Sequence, residues 1–141
     1  MTQEDKELLL KDLCARLPYK VKVQDIYYNS LEPAPVWLID INTQNVRMFA
    51  DEGYQSIEYI RPYLFPLSSM TEEQKEELKD LISQQTKILI EQLKNDDCGI
   101  DCGKYHFHSN LELEWLLKNN FDINGLIPKG LAIDATGLNI Y

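Results

Sequence analysis

Pro18 is the residue that most restricts this chain, because the spacing of apolar side chains changes from helical to extended across it. Before it, Leu10, Leu13, Cys14 and Leu17 recur at i, i+3, i+4 and i+7 with Leu9 beside them, which predicts an amphipathic helix from Thr2 to Leu17. A proline has no N–H to continue the ladder, so the helix must stop there. After it, Tyr19, Val21 and Val23 alternate with Lys20, Lys22 and Gln24, the period of a strand with one wet face. Cys14 falls on the helical stripe and reads as a small core hydrophobe without chemistry.

The turn residues "NSLEPAP" end that strand. "VWLIDI" (36–41) is rich in β-branched and aromatic residues, "NTQN" is polar and "VRMFA" follows, so the pair reads as a hairpin with a four-residue loop. "QSIEYIRPYLFPL" fits a helical turn at Ile57, Ile60 and Leu64, but Pro62 and Pro66 forbid a long helix. The first half is therefore a helix with three or four antiparallel strands, and a hairpin alone is too marginal to stand without a lid.

"SSMTEEQKEEL" opens the second half with a capping box, Thr71 and Gln74, for a helix expected to reach about Leu93 and to bury Leu78, Leu81, Ile82, Ile88, Leu89 and Leu93. Ser109 with Glu112 marks a second box for "NLELEWLLKNN", where Leu113, Leu116 and Leu117 are expected inside and Trp115 lies at the border of the stripe. The glycine- and proline-punctuated tail predicts a tight turn and then a strand from Leu131 to Ile133. The fold class is α+β: an N-terminal helix, a small antiparallel sheet free to curl toward a barrel-like shape, then two amphipathic helices and a short C-terminal strand. Two lobes, 1–68 and 69–141, are expected to pack as a single compact unit.

Charge narrows the partners. Fourteen basic residues stand against 23 acidic ones, for a formal net charge of −9. A field of that sign disfavours a nucleic-acid backbone, whose binding needs clustered Lys and Arg. The short apolar runs and the acidic start predict neither a membrane span nor a signal peptide, and three cysteines are an odd number for a disulfide framework, so a cytoplasmic protein with reduced thiols is expected.

One stretch holds chemistry. "CGIDCGKYHFH" brings Cys98, Cys102, His106 and His108 together, the ligand types of tetrahedral zinc. Structural zinc sites usually divide their ligands between two distant elements, whereas here all four crowd into one short window. The competing readings are a surface loop, with Tyr105 and Phe107 inward, and a redox pair whose spacer is one residue longer than the thioredoxin-like pattern. Asp40 and Asp134, each ending an expected strand, are the only other candidate acids, and solvated strand-end aspartates are common. No cofactor is expected, with zinc as the exception the cluster leaves open.

Two segments, "RPYLFPLSSMTEEQ" (61–74) and "NNFDINGLIPKGLAIDA" (119–135), resemble a family of proteins of anaerobic gut bacteria and their phages and prophages. Its pattern is a Pro-Tyr-Leu-x-Pro-x-Ser-Ser-Met-Thr-Glu-Glu run before a helix and an Asp-x-x-Gly-Leu-Ile-x-x-Gly-Leu-Ala run near the end. The match covers 31 of 141 positions. "TGLNIY" departs from the family's Pro-Glu-Gly-Met-Tyr type of ending, although Tyr141 agrees. The resemblance implies the genomic company of a mobile element and carries over no activity and no functional residue. The expectation is a non-catalytic protein-interaction module, with Tyr54 and Trp115 as candidate contact residues and an unidentified protein as partner. The alternatives are a small metal-binding or hydrolytic protein using the Cys/His cluster, and a DNA mimic in which the glutamates of 72–77 and Asp80 line up with Asp96, Asp97 and Asp101.

Overall fold

A computed structural model describes residues 1–28, 32–48, 53–95 and 110–141, with backbone alone from 88 to 95. The chain divides into two compact units, one of Met1–Ser69 with Leu117–Tyr141 and the other of Met70–Leu116.

In the first unit, α1 (Gln3–Arg16) starts at a reciprocal cap: the Thr2 hydroxyl accepts from the Asp5 N–H at 3.1 Å and the Asp5 carboxylate accepts from the Thr2 N–H at 3.1 Å. Pro18 does end the helix, through a 3-10 turn over Leu17–Tyr19 that Lys20 closes in a left-handed conformation, φ 54°. The helix lies rotated from its expected orientation. Leu9, Asp12, Leu13 and Arg16 are buried, while Leu10, Cys14 and Leu17 are only partly so. The rotation follows from Arg16, whose guanidinium is drawn inward by Asp12 and by the carbonyl oxygens of Leu117 and Phe121.

Among the described residues, six strands form one mixed sheet in the order β4-β3-β2-β1-β5-β6, comprising β1 (Lys22–Asp25), β2 (Ala34–Asp40), β3 (Asn45–Met48), β4 (Tyr54–Ser56), β5 (Ile60–Leu64) and β6 (Ile133–Asp134). The first four make the expected antiparallel meander, and the hairpin loop between β2 and β3 has four residues, 41–44. The sheet is open, with β4 and β6 at its edges, and does not close toward a barrel. Residues 117–141 join this unit and not the helical lobe expected for 69–141, because β6 pairs in parallel with β5.

Pro62, which forbids a long helix here, sits inside β5. The Ile26 N–H donates to the Tyr59 oxygen, so the hydrogen-bonded positions between β1 and β5 alternate from there and Pro62, opposite Val23, falls at a non-bonded one. Pro35 on β2 stands opposite Lys22 in the same phase, since the Val36 N–H donates to the Val21 oxygen. Neither proline withdraws a donor from β1, which is how a central pairing tolerates both.

The inner face of the sheet packs Val21, Val23, Val36, Val46, Met48, Ile60 and Leu64 against Leu9 and Leu13 of α1, with Leu126 and Leu131 completing the core. Asp122 shapes the closing loop: its two carboxylate oxygens accept from the Leu126 and Ile127 N–H groups at 2.8 and 2.9 Å.

In the second unit, α2 (Glu72–Asn95) begins at the expected box, the Thr71 N–H donating to Gln74 at 2.9 Å and the Gln74 N–H to the Thr71 hydroxyl at 3.2 Å. Of the expected buried face, Leu78 and Leu81 are half-buried and Ile82 is exposed; the side chains of Ile88, Leu89 and Leu93 lie outside the described residues. The helix α3 (Leu111–Lys118) is capped by Asn110, whose carboxamide oxygen accepts from the Leu113 N–H at 3.1 Å, one residue later than expected; Ser109 lies outside the described residues. Of the residues expected inside, Leu113 is exposed and Leu116 half-buried, while Trp115, expected at the border, is buried; Leu117, where the chain re-enters the first unit, is buried as expected. Asn120 ends the turn in a left-handed conformation, φ 59°, that a short polar side chain tolerates.

Candidate functional site

A β-bulge in β2 assembles the most distinctive surface of the first unit. Val36 pairs with Met48 and Leu38 with Arg47, so the register shifts by one residue at Trp37. In an unbroken strand one of two consecutive side chains turns inward. Here Val36 remains in the core and both Trp37 and Leu38 are exposed, Trp37 to 56 %. Arg47 stands between the buried Val46 and Met48 and therefore projects from the opposite face, in register with Leu38 on one side and Tyr54 on the other. Its guanidinium lies over the Tyr54 ring, 5.9 Å from the centroid. Leu38, Arg47 and Tyr54 thus form a row across three strands, with Trp37 beside it and Ile41 exposed in the adjoining loop.

The row is an exposed aromatic and apolar patch with one cation in it. Trp, Tyr and Arg supply rigid area and directional polarity at interface centres, and the cross-strand row holds their spacing. Among the described residues no group of three His, Cys, Asp or Glu is placed to hold a metal ion.

The two candidate contact residues differ in exposure. Tyr54 is 54 % exposed and belongs to the row, whereas Trp115 is 8 % exposed and so is not a surface residue. Cys98, Cys102, His106 and His108 lie outside the described residues, as do Tyr105, Phe107 and the loop aspartates 96, 97 and 101.

Asp40 and Asp134 serve turns. Asp40 accepts from the Asn42 and Thr43 N–H groups at 3.0 and 3.3 Å, and Asp134 from the Thr136 N–H at 2.9 Å. Hydrogen bonds from the Thr43 and Thr136 side chains, followed by those backbone donors, hold both carboxyls below the usual range, the wrong direction for a general acid. Burial raises the Cys14 thiol, which fits a packing role. Lys20 closes the 3-10 turn and Lys22 donates to the Ile140 oxygen at 2.6 Å.

On α2 the expected acidic row is interleaved with cations: Lys75 pairs with Glu72 and Lys79 with Glu76. No described helix is long and apolar enough to cross a membrane.

Sequence reasoning passed over Trp37 because a regular strand hides one of every two residues. The signal was the run Val36–Ile39, four apolar residues in succession on an antiparallel strand, more than a single buried face accepts. Asp25 was passed over as well, although it continues the inward phase of Val21 and Val23.

No family model matches the chain, and neither a curated protein nor a solved structure matches it. The two segments that carry the resemblance, 61–74 and 119–135, adjoin in the fold, Tyr63 opposite Ile133, Leu64 opposite Asp134 and Phe65 opposite Phe121.

Proposed function

We propose that this chain is a non-catalytic protein-interaction module whose contact surface is the outward row Leu38–Arg47–Tyr54 with Trp37. The observation that carries the reading is the bulge: it turns a tryptophan and a leucine outward together, beside an arginine and a tyrosine, at the expense of a regular ladder. With a net charge of −9, the partner surface is one with an apolar centre and a basic rim, since long-range attraction then speeds encounter while the aromatic row supplies the lasting contact. The mobile-element setting belongs to the same proposal and rests on the two resembling segments alone.

The test compares the wild-type chain with Trp37→Ala and Tyr54→Ala in affinity capture from the native host. A stoichiometric partner retained by the wild type and lost by both variants supports the reading. A partner retained equally by all three chains overturns it.

The interleaving of Lys75 and Lys79 among the glutamates of α2 breaks the continuous negative row that DNA mimicry requires, which favours the aromatic face over that reading.

A further inference from the structure

We propose that the turn following β1 is a binding site for a protonated primary amine, with the Asp25 carboxylate as acceptor and the rings of Tyr27, Tyr28 and Tyr59 as its aromatic wall. Asp25 continues the inward phase of Val21 and Val23 and is 2 % exposed. Its Oδ1 accepts from the Tyr27 N–H at 2.8 Å and the Tyr28 N–H at 3.3 Å. Its Oδ2 is buried too and has no hydrogen-bond partner among the described residues. A buried carboxylate oxygen without a donor is costly, and one fold-level reason to keep it is a ligand that supplies the donor.

The residues whose backbone N–H groups meet Asp25, and the ring they pack on, narrow the ligand. Tyr27 meets Tyr28 edge to face, centroids 5.0 Å apart at 88°, and meets Tyr59 at 5.0 Å and 53°. Such rings offer negative faces to a cation. A divalent metal ion needs about six oxygen ligands or more, and a single free carboxylate oxygen does not provide them. A quaternary ammonium satisfies the rings and leaves Oδ2 without a proton. A guanidinium presents a planar fork suited to two free oxygens, and Asp25 has one. A primary ammonium supplies one donor to Oδ2 and its charge to the rings.

Tyr27 and Tyr28 are 62 % and 65 % exposed, so their side chains are free to turn aside on the nanosecond scale and admit the amine. The site is separate from the outward row. Asp25 belongs to the core face of the sheet, while Leu38, Arg47 and Tyr54 project from the other, so the two proposals stand or fall independently.

The full chain is titrated with n-butylammonium chloride, with tetramethylammonium chloride at equal ionic strength, and with an acetylated, amidated Gly-Lys-Gly peptide, following the Tyr27 and Tyr28 amide resonances. Saturable shifts are expected with n-butylammonium, with binding at least about tenfold weaker for tetramethylammonium. Asp25→Asn keeps an oxygen for the two turn N–H groups and replaces Oδ2 by a donor, so it abolishes the saturable shifts while leaving the remaining amide spectrum in place. Tighter binding of the peptide than of the free amine assigns the ligand as a lysine side chain; the reverse order assigns it as a small amine. Equal shifts from the two ammonium salts, or unchanged binding in Asp25→Asn, overturn the proposal. Should Asp25→Asn not fold, Tyr28→Ala takes its place, and undiminished affinity for n-butylammonium in that variant overturns it equally.

Discussion

Arg16 and Asp12, one turn apart on α1, form a two-pronged ion pair, Nε to Oδ2 at 2.7 Å and Nη2 to Oδ1 at 3.1 Å, with neither side chain exposed. The pair is a junction. Arg16 also donates to the Phe121 and Leu117 oxygens at 2.7 and 3.4 Å, and the Asn124 side chain donates to Asp12 at 2.8 Å, so α1 is tied to the segment that leads into β6. Replacing Arg16 by Met strands a buried carboxylate and two carbonyl oxygens, at a cost of about 3–5 kcal/mol. Asp12→Leu strands the guanidinium to a similar degree. The double variant costs less than the sum of the two, because each single change leaves its partner's charge uncompensated. Urea denaturation of the four chains measures this; single variants within about 0.5 kcal/mol of wild type would contradict the junction role.

Tyr141 fastens the end of the β1–β5 pairing. Lys22 and Tyr63 continue that register, and the Tyr141 hydroxyl spans them: it accepts from the Lys22 N–H at 3.2 Å and donates to the Tyr63 oxygen at 2.8 Å. The residue as a whole is half exposed, yet its hydroxyl is enclosed, and burial pushes its pKa from 10.0 up to about 12. A raised folded-state value means that the folded protein holds the proton more tightly. The stabilisation is therefore complete below pH 10 and is lost as pH rises toward 12. Tyr141→Phe orphans a donor and an acceptor and is expected to cost about 1–3 kcal/mol at neutral pH. The gap between wild type and variant closes in the alkaline window. Denaturant midpoints at neutral pH and through that window test it, and a gap that stays constant with pH is the contrary result.

Acid acts on a different set of groups. Asp5, Asp40 and Asp134 each accept hydrogen bonds at a cap or turn, first from Thr2, Thr43 and Thr136 respectively, and all three lie below the ordinary 3.8. Their contribution is present above that value and lost as pH falls through their folded-state values. Stability should decline on acidification below about pH 4, and Asp134→Asn should make that decline shallower. A decline of unchanged slope in the variant would separate Asp134 from the acid response.

Local rules made much of the fold legible. The helical period before Pro18, the strand period after it, the Thr71–Gln74 box and the hairpin loop length all follow from short-range chemistry, and the structure contains each. What could not be read depended on distant partners. The burial of Arg16 depends on the carbonyls of Leu117 and Phe121, more than a hundred residues away, and the placement of residues 117–141 depends on β6 pairing with β5. The candidate surface was half legible: Tyr54 follows a turn and is exposed, but Trp37 depends on a bulge set by how β2 and β3 register across their loop.

Trp37 separates stability from binding. Its ring is more than half exposed, so Trp37→Ala should change stability by no more than about 0.5 kcal/mol while weakening partner binding by at least 2 kcal/mol, roughly thirtyfold. Denaturation and partner titration on the same preparation test the dissociation. A variant that loses both together would mean that Trp37 acts through the fold.

The central claim is that the outward row of β2, β3 and β4 is where this chain meets another protein. Side-chain footprinting of the chain free and in its captured complex measures it directly. Protection concentrated at Trp37, Leu38, Arg47 and Tyr54, with Tyr141 unchanged, is the predicted result; labelling of Trp37 and Tyr54 undiminished in the complex would contradict it.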